Sequence, residues 1–290
     1  MGSIRTLLAI SVVFSHTYGF LLVGGMLAVQ LFYVISGFLI SFVLTEAKTY
    51  VSVRSFYTNR FLRLFPLYWI VASLTLAAFA VNTFLFQRES APFEVLNQLD
   101  PIGRIALAVV NLGIFGQDLI MFTGVRGGDF MFVSDFRDSE VAVWEGLLVP
   151  QAWTLGVELS FYVIAPYVLV RKLCLVFLLL ASLSVRILLI YFGVGLDDPW
   201  TYRFFPAELA LFLLGALSHQ VWGSKLRRMG VINQKTSQFV FIFLLLYCAT
   251  FFLLPYRTLN TFILIVIFVV ALPFLLFFSE QKNGIAGLES

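Results

Sequence analysis

Read for hydrophobic and polar positions, the chain is a series of apolar runs separated by short charged connectors. A helix needs about 20 mainly apolar residues to cross the hydrocarbon core of a bilayer. Runs that meet or approach that length lie near 5–23, 26–45, 64–84, 102–122, 153–170, 173–193, 203–222, 236–256 and 258–279. The short alternating segments of a closed barrel are missing. The pattern predicts an all-α fold, a polytopic transmembrane helical bundle of about 8–10 membrane segments. One integral-membrane domain over residues 1–290 is expected, with no internal repeat. Arg5 followed by an apolar run resembles a secretory signal. That run continues past Gly24 and Gly25 without a cleavage-like site, so it reads as the first span.

Composition agrees. Of 290 residues, 60% are hydrophobic and 12% charged, with a mean hydropathy of +0.96; a soluble domain carries about 25% charged residues. The net charge of +3 matters less than its distribution. Lys48, Arg54, Arg60 and Arg63 in 46–63, Arg171 and Lys172, and Lys225, Arg227, Arg228 and Lys235 in 223–235 mark cytoplasmic connectors. The 84–153 stretch holds nine acids and four arginines, a net of −5, and falls outside with Asp197 and Asp198. The N-terminus is then cytoplasmic. If 84 and 153 share a side, 102–122 is not a single crossing. It is re-entrant or interfacial, Val141–Pro150 supplies a return leg, or the charge rule fails locally. The long 123–152 stretch reads as an external loop or lid. Cys174 and Cys248 lie in apolar runs and read as small buried hydrophobes, with no disulfide or metal spacing. The basic residues between spans form no nucleic-acid patch.

The candidate chemistry lies in polar residues that interrupt these runs. An eleven-residue step from Arg5 to His16 turns a helix by about three turns and 20°. Both residues therefore share a face, roughly 16 Å apart along the axis. Arg5 reads as a topology anchor or as a partner in the site; His16 reads as a packing hydrogen bond or, by default for an intramembrane ionisable group, as functional. Glu158 lies inside an apolar helix and needs a partner or a proton. Tyr162 is four residues on, on the same face. Arg186 is a candidate counter-charge, for which Glu208 competes. Arg60 and Arg63, three apart at the start of a span, project from one side as positive-inside anchors or as a phosphate clamp. Gln30, Ser36 and Gly37 place polar and small residues in the second span, where small residues allow close helix contact.

Taken in order, R-x10-H (Arg5 to His16), F-Y-V-I-S-G-F (32–38), R-x-x-R (60–63), W-T-L-G-V-E-x-x-F-Y-x-x-x-P (153–166) and R-F-F-P-A-E-L-A-L-F-L-L-G (203–215) resemble the membrane-bound acyltransferase 3 family. Its members include O-acetylases of bacterial surface polysaccharides, Nod factors and macrolides. The resemblance covers residues 3–222 well and the remainder by hydropathy alone. It implies transfer of an acyl group, commonly acetyl, from acetyl-CoA or another acyl-CoA to a hydroxyl of a sugar or polysaccharide acceptor. The acyl-CoA is a donor substrate rather than a bound cofactor, and no metal is implied. The lipid bilayer is the remaining partner, and the inner (plasma) membrane the expected location.

By the same resemblance, His16 matches the family's essential histidine and Arg5 its paired arginine. Arg60 and Arg63 match the arginine motif, and Glu158 the acid of the tryptophan motif. Gln30 stands where many members carry an acid. Tyr162, Ser36, Arg186 and Glu208 are candidate substrate-contacting or structural polar groups. Family members usually continue into a further span, and this chain stops at K-N-G-I-A-G-L-E-S. The chain reads as a short member, a truncated product or an incomplete sequence that lacks a final C-terminal span, and an inactive truncated member is one reading of its function. A proton-coupled transporter or flippase, with His16, Glu158 and Arg186 as a relay, is another.

Overall fold

The computed structural model describes residues 2–17 and 22–286. Helix accounts for 76% of it. In chain order the helices are α1 (Gly2–Thr17), α2 (Gly25–Ser41), α3 (Val53–Phe84), α4 (Ala91–Gln98), α5 (Pro101–Gly113), α6 (Trp153–Val168), α7 (Lys172–Tyr191), α8 (Phe205–Leu217), α9 (Ser224–Arg228), α10 (Gln234–Thr250) and α11 (Arg257–Ala286). α2 runs on through a π-helical turn at Phe42–Glu46, and α8 through another at Ser218–Gly223.

Among the described residues, five helical segments are long and apolar enough to cross a bilayer: Gly25–Glu46, Val53–Phe84, Lys172–Tyr191, Gln234–Leu253 and Arg257–Glu280. α1 and α6, at 16 residues each, and Phe205–Val221 are shorter. Large apolar side chains such as Leu62, Leu67, Leu74, Leu173 and Phe177 are exposed along these helices, as lipid-facing surfaces require. The protein is a multi-pass membrane protein.

Local sequence explains the helix limits. α3 begins eleven residues before the run predicted at 64–84, because Ser52 caps it. The Ser52 side chain accepts from Ser55 N, and the Ser55 side chain accepts from Ser52 N, both at 3.1 Å. Arg54, Arg60 and Arg63 consequently lie on the helix rather than in a loop. Asp100 caps α5, accepting from Gly103 N at 2.8 Å, with Pro101 in the first helical position.

The predicted run at 102–122 is not one helix. α5 has 13 residues, so it rises about 20 Å against a core of about 30 Å. It stops where Ile114 adopts φ 60°. Its last carbonyls accept from Tyr68 OH (2.7 Å, Asn111 O) and Trp69 Nε1 (3.0 Å, Leu112 O). Residues 85–152 contain no helix of crossing length, which removes the parity conflict raised by the charge pattern. Val141–Pro150 supplies no return leg either; it forms short 3₁₀ turns.

The chain divides into two compact units. The first comprises Met1–Thr49, Tyr167–Ser182 and Glu208–Ser290. Within it, α2 and α8 approach backbone to backbone. A Cβ on Gly37 would lie 1.8 Å from Phe212 O, and one on Gly215 would lie 2.0 Å from Val34 O. Only glycine fits at either point. Tyr33 stacks on Phe212 with ring centroids 4.7 Å apart.

The second unit comprises Tyr50–Pro166 and Leu183–Ala207. Its 114–152 segment is an ordered cap. Strands β1 (Thr123–Arg126) and β2 (Asp129–Phe132) pair antiparallel across Gly127 and Gly128, both at positive φ. Val125, Val141, Val143 and Leu147 of the cap share a core with Val95, Leu99 and Leu107 of α4 and α5 and the residue that follows α4. The cap is also tied to 192–204: Trp200 Nε1 donates to Ser134 O (2.9 Å), and Arg137 donates to Asp198 O (2.9 Å).

Candidate functional site

In the second unit the W-T-L-G-V-E helix gathers three of the residues picked out by sequence. The Tyr162 hydroxyl donates to Glu158 Oε1, as their four-residue spacing allows. The Tyr162 ring lies 5.3 Å from the Arg60 guanidinium, which also sits 5.3 Å from the Phe56 ring and 5.9 Å from the Tyr50 ring. Arg60 donates to Tyr50 OH at 3.0 Å, and that hydroxyl donates to Asn59 Oδ1 at 2.8 Å. Tyr57 OH donates to Val163 O at 2.7 Å and holds α3 on α6. A buried cation thus sits in an aromatic cage, a setting that favours guanidinium over ammonium.

The two arginines of the R-x-x-R motif differ in burial. Arg60 is buried in the cage and Arg63 is exposed, and the charges of both reach the Tyr162 hydroxyl. An open pocket of about 440 Å³ lies along the first turns of α3, lined by Ser52, Arg54, Ser55, Thr58, Asn59 and Leu62. Arg186, half-buried, donates to Ala207 O at 3.2 Å.

In the first unit, α1 carries Arg5 half-buried in its second turn and His16 exposed in its last. Ser11 of the same helix is buried and accepts from Val23 N at 3.3 Å. Gln30 and Glu208 are both buried and meet, the amide donating to the carboxylate at 3.4 Å. Ser36 is buried beside the Gly37 contact.

Sequence reasoning missed the second histidine. His219 is buried on the π-helical turn after α8, with Nε2 2.8 Å from Glu46 Oε2 and Nδ1 3.1 Å from Ser41 Oγ. Gln220 donates to Ser41 Oγ (3.2 Å) and to Leu169 O (2.8 Å). With Nε2–H directed at the carboxylate, Nδ1 accepts from Ser41. The available signal was a histidine closing an apolar run, the same feature that drew attention to His16.

Two further groups of the second unit were also missed. Asp118, 2% exposed, follows the turn after α5, outside the membrane-crossing helices. Its Oδ1 has no hydrogen-bond partner. A Cβ on Gly156 of α6 would lie 2.8 Å from that oxygen, so the carboxyl rests on the glycine of W-T-L-G-V-E. Burial pushes its pKa up to about 6, against the smaller opposing effect of the Asp118 and Leu119 backbone amides. Neighbouring Gln117, fully buried, donates to Tyr68 OH (2.8 Å) and Val110 O (3.1 Å), and its Oε1 is unpartnered. Arg203 binds Asp198 through two nitrogens (2.6 and 3.1 Å) and lies 4.3 Å above the Trp153 ring. Its third nitrogen, Nη1, is buried without a partner.

Comparison with known proteins supplies the identity. The acyltransferase 3 family, described as an acyltransferase domain, matches residues 2–286. The match extends beyond residue 222, where the recognisable motifs end, through α10 and α11. No curated protein and no solved structure matches the chain. A match over nearly the whole length of a multi-pass membrane protein makes the chain a member of the acyltransferase 3 family, a membrane acyltransferase.

Proposed function

We propose that the protein transfers an acyl group, in the first instance acetyl, from acyl-CoA to a hydroxyl of a sugar or polysaccharide acceptor. The carrying observation is the family match across residues 2–286 of a chain whose polar motifs interrupt membrane helices in the family's order. The reading sets the protein in the inner (plasma) membrane with its N-terminus cytoplasmic. α1, α2, α3, α6, α7, α8, α10 and α11 then cross in alternation. That arrangement leaves the basic connectors inside and the acidic cap outside.

On the cytoplasmic side, exposed Arg63 and the Arg54-bearing pocket are the groups suited to coenzyme A phosphates. Arg60 acts as a positioning residue, since its guanidinium is committed to the Tyr50, Phe56 and Tyr162 rings. Arg5 is assigned to the donor's charge. His16 is the general base. Its imidazole takes the proton from the acceptor hydroxyl as that oxygen attacks the thioester carbonyl. Collapse of the tetrahedral adduct expels the thiolate, which receives the proton from the imidazolium. Base catalysis of this kind contributes about 10²–10⁴-fold.

Purified protein, labelled acetyl-CoA and methyl α-D-glucopyranoside test the reading directly. Wild type is expected to form labelled acetyl-glucoside, and His16→Ala to lose at least about 10² of that rate with unchanged thermal stability. Absence of product from wild type overturns the acyl transfer. Retained turnover in His16→Ala overturns the assignment of the base.

A further inference from the structure

The exposed side of α5 is as apolar as its buried side. Gly103 and Leu107 are buried, Leu107 in the core shared with the cap. Ile102, Ile105, Val109 and Leu112, three or four residues apart, are each more than half exposed, and that spacing sets them on one face of a helix. Phe115 and Leu119, beyond the helix end, are exposed too. Between 102 and 119 the only charged residues are Arg104 and Asp118. Arg104 turns back to the carbonyls of Leu99 (2.8 Å) and Asn97 (3.3 Å), and Asp118 is buried.

The end of α5 has a fixed place on α3. Trp69 Nε1 donates to Leu112 O (3.0 Å) and Tyr68 OH to Asn111 O (2.7 Å). α3 has 32 residues, which makes it about 48 Å long, and Trp69 stands at its midpoint. A crossing takes up about 30 Å, and any continuous stretch of that length on α3 includes the midpoint. The C-terminal end of α5 is therefore within the hydrocarbon wherever the boundaries fall. The chain comes to it from the far end of α3, where Thr83 donates to the side chain of Ser90, just before α4, at 2.8 Å. Trp69 and Thr83 are about 21 Å apart along the helix, and α5 itself rises about 20 Å.

The backbone at that depth is treated as lipid requires. The last carbonyls of a helix lack intrahelical donors, and a bilayer core supplies no water. Here Val110 O accepts from Ile114 N (3.0 Å) and Gln117 Nε2 (3.1 Å), while Asn111 O and Leu112 O accept from the two side chains of α3. In the turn that follows, Ile114, Gly116, Gln117 and Asp118 are buried. Irregular backbone at membrane depth is tolerated only inside protein. The exposed face also continues an existing one. Trp69 is itself exposed, with its ring 5.8 Å from that of exposed Phe61 and with exposed Leu76 two turns on along the same side of α3.

We infer that α5 is a re-entrant helix that enters the outer leaflet and ends within the hydrocarbon, its exposed face set against acyl chains. That the leaflet is the outer one rests on the orientation proposed above; the contact with lipid does not. A soluble partner does not reach a surface whose lower end lies inside the bilayer.

The test uses the full chain carrying Cys174→Ser and Cys248→Ala, reconstituted in phosphatidylcholine vesicles. One nitroxide is attached at Ile102→Cys, Ile105→Cys, Val109→Cys or Leu112→Cys in turn; the native side chains are exposed, so the label displaces no core. Oxygen is expected to relax each label more than a water-soluble nickel chelate does. Label depth is expected to increase by up to about 15 Å from position 102 to position 112. Nickel access above oxygen access at all four positions overturns the contact with lipid. Equal depths describe a helix lying flat at the interface and overturn re-entrance. Low access to both reagents with spin–spin broadening means that a second copy covers the face, and overturns the inference too. Gln98→Cys, on the exposed side of α4, reports the leaflet separately. Its reaction with a membrane-impermeant maleimide in intact spheroplasts supports the outer leaflet. Reaction only after lysis overturns that orientation, while the depth profile still decides the insertion.

Discussion

Two glycine contacts, one in each unit, do different things. In the first unit Gly37 and Gly215 let the backbones of α2 and α8 touch. The polar groups along that seam find partners: Gln30 meets Glu208, and His219 is held between Ser41 and Glu46. In the second unit the atom nearest to Gly156 is a carboxyl oxygen, with the Ile114 carbonyl next, and that carboxyl oxygen is unsatisfied. Close approach in the first case serves packing, which in lipid depends on small residues and on satisfied polar groups. In the second it leaves a buried carboxyl oxygen without a hydrogen bond. The same residue type thus marks a backbone-to-backbone seam in one unit and a tight side-chain contact in the other.

The comparison breaks most sharply at the seam. Gly37→Ala places a methyl 1.8 Å from Phe212 O, a backbone atom that cannot rotate away. Ordinary overpacking costs about 1–3 kcal/mol, and a backbone clash lies at or beyond the top of that range. Loss of monodisperse protein after detergent extraction is expected for Gly37→Ala and likewise for Gly215→Ala. A folded, active Gly37→Ala protein would show that the helices part easily and that the seam is not close-packed.

Asp118 sharpens the other side through pH. Its folded pKa is about 6 against an ordinary 3.8, so the folded state binds the extra proton. Below pH about 4 both states are protonated and no penalty exists; above about 6 the full penalty stands. Stability therefore falls as pH rises through that window. Asp118→Asn is expected to match wild type near pH 4 and to exceed it by up to about 3 kcal/mol at pH 8. Melting curves from pH 4 to 8 provide the check, and parallel profiles for the two proteins would refute a buried, strained carboxyl.

Hydropathy was enough to read the five helices of crossing length, because lipid imposes length and apolarity on a crossing; α1, α6 and α8 are shorter than the runs that predicted them. Hydropathy read 102–122 as one run, which splits by face: Leu107 and Ile120 pack with Val125 and Val143 in the cap's core, while Ile102, Ile105, Val109 and Leu112 stay exposed. Motif order carried the family. It did not carry the neighbours of each motif residue, because Arg60 and Arg63 look equivalent in sequence and differ only once Tyr50, Phe56 and Tyr162 fold around the first. Asp118 and Arg203 were invisible for the same reason. An acid in an acidic stretch and an arginine before a span acquire meaning only when Gly156 and Trp153 are brought against them.

His219 tests how much the hydrogen bonds of the seam add to its glycine contacts. His219→Gln keeps an amide near Ser41 but cannot bond Ser41 and Glu46 as the two ring nitrogens do. Half-exposed Glu46 recovers water, and Gln220 still donates to buried Ser41. The expected loss is about 1–2 kcal/mol, well under that of the backbone clash. A loss as large as that of Gly37→Ala would mean that hydrogen bonds, rather than contact, hold α2 to α8.

The smallest expected effect is a coupling. Gly156→Ala puts a methyl 2.8 Å from Asp118 Oδ1, the free end of a side chain that can turn, with Ile114 O at 3.2 Å beyond it. The strain should be near the low end of about 1–3 kcal/mol. Much of it should vanish when Asp118 is itself truncated. In a cycle of Gly156→Ala and Asp118→Ala, melting at pH 8 is expected to give an interaction of about 0.5–1 kcal/mol, within the range for residues in contact. The sign is the informative part: the double variant should be more stable than the sum of the singles predicts. Strict additivity would mean that Gly156 answers to the Ile114 carbonyl alone, and the contrast between a glycine set against a backbone and one set against a side chain would disappear.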